Sequence, residues 1–174
     1  MKALAGARRV KRSAAAALLG ALVAASGCAT LAMLRPLPRA FEGPLLPVAE
    51  LGPDFALQAR YRVRSRGREE ALRLVAEKRG ERLVLLGLDP LGTQVFSLVQ
   101  EGDRVRRERH LRPLFPFAPE NALRDLERVR FPERLGAPGA GVEMRREGET
   151  FVLVRPSCDW EATLAIDAER GGTP

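Results

Sequence analysis

Apolar and polar residues alternate between residues 55 and 64, which predicts a β-strand with one buried and one exposed face. The apolar positions of this strand are Phe55, Leu57, Ala59, Tyr61 and Val63. Further strands are predicted at residues 70–78 and 104–110, and short turns that each contain a glycine separate the segments. Because short turns join antiparallel neighbours, this part of the chain predicts a meander that twists and curls.

The central hairpin of this meander has two apolar arms, residues 83–88 and 95–99. Its turn reads Asp89-Pro90-Leu91-Gly92, in which proline presets one turn dihedral and glycine tolerates a positive φ. The first arm is apolar at every position, so it has no polar face to expose to water. We therefore expect a core on one side of this arm and a second apolar layer, or an apolar cavity, on the other.

After residue 110 the pattern changes from strands to an apolar loop and a helix. Residues 111–118 contain two prolines, which do not fit a sheet interior, and residues 119–130 carry apolar residues at helical spacing. Three more strands are predicted after a glycine-rich break, near residues 142–146, 150–155 and 161–167. The predicted fold is mainly β (α+β): a curled antiparallel sheet of about eight strands with one short covering helix.

The first 27 residues predict a signal peptide rather than a transmembrane helix. Their apolar stretch, residues 14–25, follows a cationic segment and is shorter than the roughly 20 residues that a spanning helix needs. It ends in Ala24-Ala25-Ser26-Gly27-Cys28, which resembles the lipobox of bacterial lipoproteins. The resemblance implies cleavage before Cys28 and attachment of lipid, such as palmitate, to its sulfur. An ordinary secretory signal that contains a cysteine is the alternative.

A lipidated Cys28 would anchor the chain to a membrane. Each buried methylene contributes about 0.8 kcal/mol, so two or three acyl chains would hold essentially irreversibly. Residue 29 is alanine rather than the aspartate that retains many Gram-negative lipoproteins in the inner membrane. The lipobox resemblance therefore implies a location in the cell envelope, at the outer membrane and facing the periplasm.

Residues 28–53 contain five prolines, which favour an extended conformation over a helix or a central strand. We interpret this segment as a tether, although its apolar residues leave open that part of it packs on the domain. The predicted organisation is a signal peptide at residues 1–27, a lipidated cysteine with a proline-rich tether at residues 28–53, and one folded domain at residues 54–170.

The net charge of +7 does not predict binding to nucleic acid. Residues 1–27 hold five basic residues and no acidic residue, so the remainder has 24 basic against 22 acidic residues, or +2. Arginine and glutamate are mixed throughout that remainder, and no basic face is evident.

The residues that usually carry catalysis or bind metals are scarce. His110 is the one histidine and has no partner pattern near it, and no Gly-x-Ser-x-Gly motif is present. Once Cys28 is lipidated, Cys158 is the one remaining thiol, and it is best interpreted as a small buried residue. We expect no catalytic residues, no metal and no cofactor; an envelope enzyme that uses His110 or Cys158 is the least favoured alternative.

The order of strands and turns resembles the LolA/LolB-like fold, and in particular LolB, an outer-membrane lipoprotein that receives other lipoproteins from a periplasmic carrier. The resemblance covers about residues 60–108 and depends on Tyr61 and Val63, on Gly80-Glu81-Arg82-Leu83, and on Asp89-Pro90-Leu91-Gly92 followed by Val95-Phe96-Ser97-Leu98. LolB carries Asn-Pro-Leu-Gly at the corresponding turn. The chain is best placed in a group of short, uncharacterised LolB-like lipoproteins, since its similarity to LolB beyond residue 108 is poor.

The resemblance implies an unclosed β-barrel whose concave face, covered by helices, encloses an apolar cavity for acyl chains. It also implies that Leu91 projects toward the membrane; the alternative is a turn leucine folded onto the sheet. The residues expected to line or cover the cavity are Leu72, Leu74, Leu83, Leu85, Val95, Phe96, Phe115, Phe117, Leu123 and Leu126.

Two functions follow as hypotheses. The first is a monomeric, membrane-anchored lipoprotein that binds a lipid or a lipoprotein acyl chain without catalysis, in lipoprotein or lipid transfer to the outer membrane. The second is a structural or assembly lipoprotein of the envelope, whose interior is a filled core.

Overall fold

The structure of the chain, a computed structural model, describes residues 45–65, 67–110, 117–135 and 141–171. Nothing is described of the side chains of residues 109 and 110. The predicted signal peptide, Cys28, most of the predicted tether and Phe115 lie outside the described residues. Within the described ranges, no helix is long and apolar enough to cross a membrane.

The described residues form one sheet of eight antiparallel strands and one α-helix. The strands are β1 (Phe55–Ser65), β2 (Arg68–Arg79), β3 (Arg82–Leu88), β4 (Gln94–Glu101), β5 (Arg104–His110), β6 (Glu143–Glu147), β7 (Thr150–Arg155) and β8 (Trp160–Arg170). The helix α1 (Pro119–Arg130) lies between β5 and β6 in sequence. These elements confirm the predicted fold class, a curled sheet with a short helix.

The order of strands across the sheet is β5-β4-β3-β2-β1-β8-β7-β6. Strands β1 to β5 form the predicted meander, but β8 returns to pair with β1, so that Arg60 lies opposite Ala165. The first strand is therefore central, while β5 and β6 are the two edges of an unclosed sheet. Both edge strands are rich in charged residues, which discourages edge-to-edge pairing with other chains.

One face of the sheet, called the inner face below, carries the core. Strand β1 alternates strictly between buried and exposed residues, as its sequence predicts. The helix α1 begins at Pro119, where the missing N–H is tolerated, and contributes Leu123 and Leu126 to the same core cluster as Leu74 and Leu85. The helix is the predicted cover of the sheet.

On the opposite face, called the outer face, the side chains of β3 are less covered than its sequence predicts. Leu83 and Leu85 are buried in the core, whereas Val84, Leu86 and Leu88 point outward, are half-buried, and lie outside the core cluster. The outward side of this arm is therefore only partly covered, and a second apolar layer or a cavity on that side stays a prediction. Neighbours within the same face shield these side chains in part, since Val84 lies opposite the buried Val99.

Residues 45–51, called the strap, belong to the folded domain rather than to a tether. Leu46, Val48 and Leu51 are buried in the core, and the Val48 N–H donates a hydrogen bond to the Gly102 carbonyl at 3.0 Å. Of the two possibilities that the sequence left open for this segment, residues 45–51 show packing on the domain, because apolar burial outweighs the preference of proline for extended chain. Residues 37–174 form one compact unit that carries this core.

Candidate functional site

The turn between β3 and β4 is held by four hydrogen bonds that involve Asp89. Its backbone N–H donates to the Thr93 carbonyl and its carbonyl accepts from the Gly92 N–H, each at 2.9 Å. Its carboxylate Oδ1 accepts from the N–H groups of Leu91 and Thr93, also at 2.9 Å. Gly92 has a φ of 82°, which favours glycine. Asp89 and Gly92 therefore suit the positions that they occupy in the turn.

Leu91 projects from this turn into solvent and is 92% exposed. It is the one large hydrophobic residue that is exposed among the described residues. The alternative of a turn leucine folded onto the sheet is therefore wrong, while contact of Leu91 with a membrane stays a prediction. Scattered exposed leucines need no explanation by themselves, but one at the tip of a turn fixed by four hydrogen bonds is presented in a defined direction.

The residues predicted to line or cover a cavity are brought together, but as parts of one packed core. Phe115 aside, each of them is buried: Leu72, Leu74, Leu83, Leu85, Val95, Phe96, Phe117, Leu123 and Leu126. A Cβ atom added at Gly87 would overlap the ring of Phe96, so this ring fills the space above β3. Phe117 packs edge-on against Tyr61 and Trp160, with ring centroids 6.0 and 5.4 Å apart. Whether an acyl chain enters between these side chains stays a prediction.

A buried polar cluster connects α1 to the sheet, and sequence analysis missed it. Asp125 Oδ2 accepts a hydrogen bond from the Tyr61 hydroxyl at 2.8 Å, and Asp125 Oδ1 accepts one from the Arg155 guanidinium at 2.6 Å. Burial and the nearby Asp125 carboxylate raise the pKa of Tyr61 well above its ordinary value. The cluster joins β1, β7 and α1 and fixes the helix over the inner face.

A second polar contact holds the strap. Glu127 Oε2 accepts a hydrogen bond from the Leu46 N–H at 3.1 Å, and Gln100 Nε2 donates to the Leu46 carbonyl at 2.7 Å. Both backbone polar groups of Leu46 are thus satisfied inside the protein. Burial raises the pKa of Glu127 to about 7, against opposing contributions from the Leu46 N–H and the neighbouring Arg124.

Two residues were considered for catalysis, His110 and Cys158. Nothing is described of the His110 side chain. Cys158 is half-buried, packs against the core, and its Sγ donates to the Arg155 carbonyl at 3.6 Å. In the described part of the chain, no three histidine, cysteine, aspartate or glutamate residues are grouped so that they could hold a metal ion.

The outer face carries a groove of about 400 Å³ beside the β3–β4 turn. Arg60, Arg62 and Arg73 line it together with Asp89 and Pro90. Sequence analysis did not find this cluster, although the alternation along β1 places Arg60 and Arg62 on its exposed face. The missing information was the register, which brings Arg73 of β2 directly opposite Arg60.

The chain was compared with models of known protein families. A family model described as "Protein of unknown function (DUF3261)" matches residues 56–165, which span the sheet from β1 into β8 together with α1. No curated protein matches the chain.

Proposed function

We propose a function for the chain as a member of the DUF3261 family, to which it belongs because the match covers more than half of its 174 residues. The proposed function is that of a lipid-anchored, LolB-like protein of the cell envelope that brings Leu91 into contact with acyl chains. It would act without catalysis, in lipoprotein or lipid transfer to the outer membrane. The observation that carries the proposal is the 92% exposure of Leu91 on a turn fixed by Asp89.

The proposal combines a weak apolar contact at Leu91 with a lipid anchor at Cys28. Transfer of one leucine side chain from water to an apolar phase contributes about 2 kcal/mol, which alone gives only weak binding. A lipid attached at Cys28 would keep the domain at the bilayer and so raise the effective concentration of Leu91 there. A weak contact that is made repeatedly suits transfer, because a cargo must be released as well as bound.

The experiment that tests the contact uses residues 37–174, the compact unit with its own core. Binding to phosphatidylcholine vesicles is measured by flotation for the wild type, Leu91→Ala and Leu91→Asp. We expect Leu91→Asp to lower the vesicle affinity by about tenfold or more and Leu91→Ala to lower it less, since the lost apolar area is worth about 2 kcal/mol. Leu135→Asp, a half-buried leucine near α1, serves as a control with the same chemical change. Equal binding by wild type and Leu91→Asp would contradict the proposal.

The anchoring half of the proposal is tested separately with the full chain in Gram-negative cells. We expect labelled palmitate to be incorporated by the wild type and not by Cys28→Ala, and the labelled protein to fractionate with the outer membrane. Incorporation that is unchanged in Cys28→Ala would contradict lipidation at this cysteine.

A second candidate function is a structural or assembly lipoprotein of the envelope without a ligand cavity. The observation that favours it is the joint burial in one core of the residues predicted to line a cavity, such as Leu74, Leu85 and Phe96. The two candidates differ in how residues 37–174 interact with lipid. Vesicle binding that is lost in Leu91→Asp supports the first candidate, and saturable, competed uptake of a fluorescent fatty acid would add a cavity to it. A domain that neither binds vesicles nor takes up the fatty acid supports the second candidate.

A further inference from the structure

Three arginines lie close together on the outer face and line one groove. Arg60 of β1 and Arg73 of β2 are directly opposite each other in the register, and Arg62 lies one position further along the same face. Like charges directly opposite each other on antiparallel strands destabilise the pairing. An anion placed between Arg60 and Arg73 would offset this repulsion.

The charges around the groove leave these arginines available to an anion. Arg60 pairs with Asp167 at 2.8 Å and Arg62 with Glu69 at 3.2 Å, but both arginines are mostly exposed. Exposed pairs of this kind contribute only about 0–1 kcal/mol, so exchanging the partner costs little. Arg73 has no ion pair within the described ranges. Asp89, at the rim, already uses Oδ1 to accept two backbone hydrogen bonds of the turn.

The floor of the groove is made of small side chains. Ala71 lies opposite Arg62 in β2, while Thr163 and Ala165 of β8 lie opposite Arg62 and Arg60 on the other side of β1. These residues leave a space of about 400 Å³ between the arginine side chains. Arginine guanidinium groups are suited to phosphate because their N–H groups match its oxygens in pairs.

The groove lies next to the turn that presents Leu91, since Asp89 and Pro90 form part of its wall. An apolar side chain beside a cationic groove matches the boundary between acyl chains and headgroups in a bilayer. We propose that the groove binds the phosphate group of an anionic phospholipid headgroup while Leu91 enters the acyl layer beside it. This inference rests on the proposed function, because it assumes that this end of the domain faces the membrane.

The experiment compares the binding of residues 37–174 to vesicles of phosphatidylcholine with and without phosphatidylglycerol. The variants are Arg60→Gln, Arg73→Gln and the double variant. The matched control is the double variant Arg79→Gln with Arg145→Gln, two exposed arginines outside the groove that remove the same charge. Each groove arginine is expected to contribute about fivefold to binding of anionic vesicles, or about 25-fold for both. The contribution to binding of phosphatidylcholine vesicles should be clearly smaller, because the choline group balances the charge of that phosphate.

The outcomes separate this inference from the proposed function. If the groove double variant and the control double variant lose binding to anionic vesicles equally, the effect is one of net charge and the groove proposal is wrong. If Leu91→Asp loses vesicle binding while the Arg60 and Arg73 variants do not, the groove proposal is wrong and the role of Leu91 stands. If the arginine variants lose vesicle binding while Leu91→Asp does not, the role of Leu91 is wrong and the groove stands. Tight, Arg73-dependent binding of glycerol 3-phosphate in solution would assign the site to a soluble phosphate and overturn the lipid headgroup.

The thermal stability of Arg73→Gln shows whether a loss of vesicle binding comes from the groove or from a folding defect. Arg73→Gln removes one of two opposed like charges and breaks no ion pair within the described ranges, so its thermal midpoint is expected to be no lower than that of the wild type. A clearly lower midpoint would contradict the view that the opposed pair is kept for a ligand rather than for the fold.

Discussion

The backbone N–H of Leu91 donates a hydrogen bond to the carboxylate of Asp89, with 2.9 Å between nitrogen and Oδ1. The same Oδ1 accepts the N–H of Thr93, so one side chain fixes both the tip and the return of the turn. An aspartate at the first turn position makes such bonds readily, because its carboxylate reaches the backbone two residues ahead. The direction of Leu91 therefore depends on Asp89.

Asp89→Ala is expected to loosen the turn without unfolding the domain. Both side-chain hydrogen bonds are lost, and since they are exposed the free energy of unfolding should fall by only about 1 kcal/mol. Hydrogen exchange at the amides of Leu91 and Thr93 should become faster, while exchange in β1 stays unchanged. Asp89→Asn keeps an acceptor oxygen, so its exchange rates at these amides should lie between those of the wild type and those of Asp89→Ala. Unchanged exchange at both turn amides in Asp89→Ala would show that the turn is fixed by other contacts.

Removal of Asp125 is expected to destabilise the domain strongly. Arg155, 4% exposed, would remain buried without this carboxylate, and loss of one partner of a buried ion pair costs about 3–5 kcal/mol. Tyr61→Phe deletes one hydrogen bond to the same carboxylate and should cost about 1.5–3 kcal/mol. Urea unfolding of Asp125→Ala, Tyr61→Phe and the double variant measures both effects. Additive losses would contradict a shared cluster.

The stability of the domain should depend on pH through Glu127. Its pKa in the folded protein is about 7, above the ordinary value of 4.5, so the folded state holds the proton more tightly than the unfolded chain. The contribution is fully present below about pH 4.5 and is lost as the pH rises through 7, by about 3 kcal/mol in total.

Glu127→Gln should remove this dependence and gain stability over the wild type as the pH rises from 4 to 8. The measurement is the free energy of unfolding of both proteins across that range, with the exposed Glu77→Gln as the control for loss of a carboxylate. A constant difference between Glu127→Gln and the wild type over the whole range would contradict the burial of an acid at this position.

Gly87→Ala tests whether the space above β3 is filled. The added Cβ atom would overlap the ring of Phe96, which is buried in the core. Overpacking of this kind costs about 1–3 kcal/mol, so the free energy of unfolding should fall by that amount. The double variant Gly87→Ala with Phe96→Leu should recover part of the loss. A neutral Gly87→Ala would indicate that the ring can move into empty space, as in a lipid cavity.

Local pattern was sufficient for much of the fold. The alternation in β1, the turn at Asp89-Pro90-Leu91-Gly92 and the helix that begins at Pro119 follow from residue types and spacing, and the structure contains each of them. These features depend on contacts between residues that are close in sequence, which is the information that a single sequence carries.

The features that sequence analysis missed depend on long-range pairing. No local pattern predicts that β8 pairs with β1, that Arg73 lies opposite Arg60, or that Asp125 of the helix binds Arg155. The packing of the strap was left open for the same reason, because the burial of Leu46 depends on Gln100 and Glu127, which satisfy its backbone. Charged residues on a short helix predict solvent exposure until such partners are known.

The most direct test of the central claim follows the side chain at position 91 when vesicles are added. Residues 37–174 with Cys158→Ser and Leu91→Cys are labelled with a fluorophore whose emission shifts to the blue in apolar surroundings. Asp103→Cys, in the exposed β4–β5 turn, serves as the control. We expect a blue shift at position 91 and none at position 103 when phosphatidylcholine vesicles are added. An emission at position 91 that does not change with vesicles would contradict contact between this turn and acyl chains.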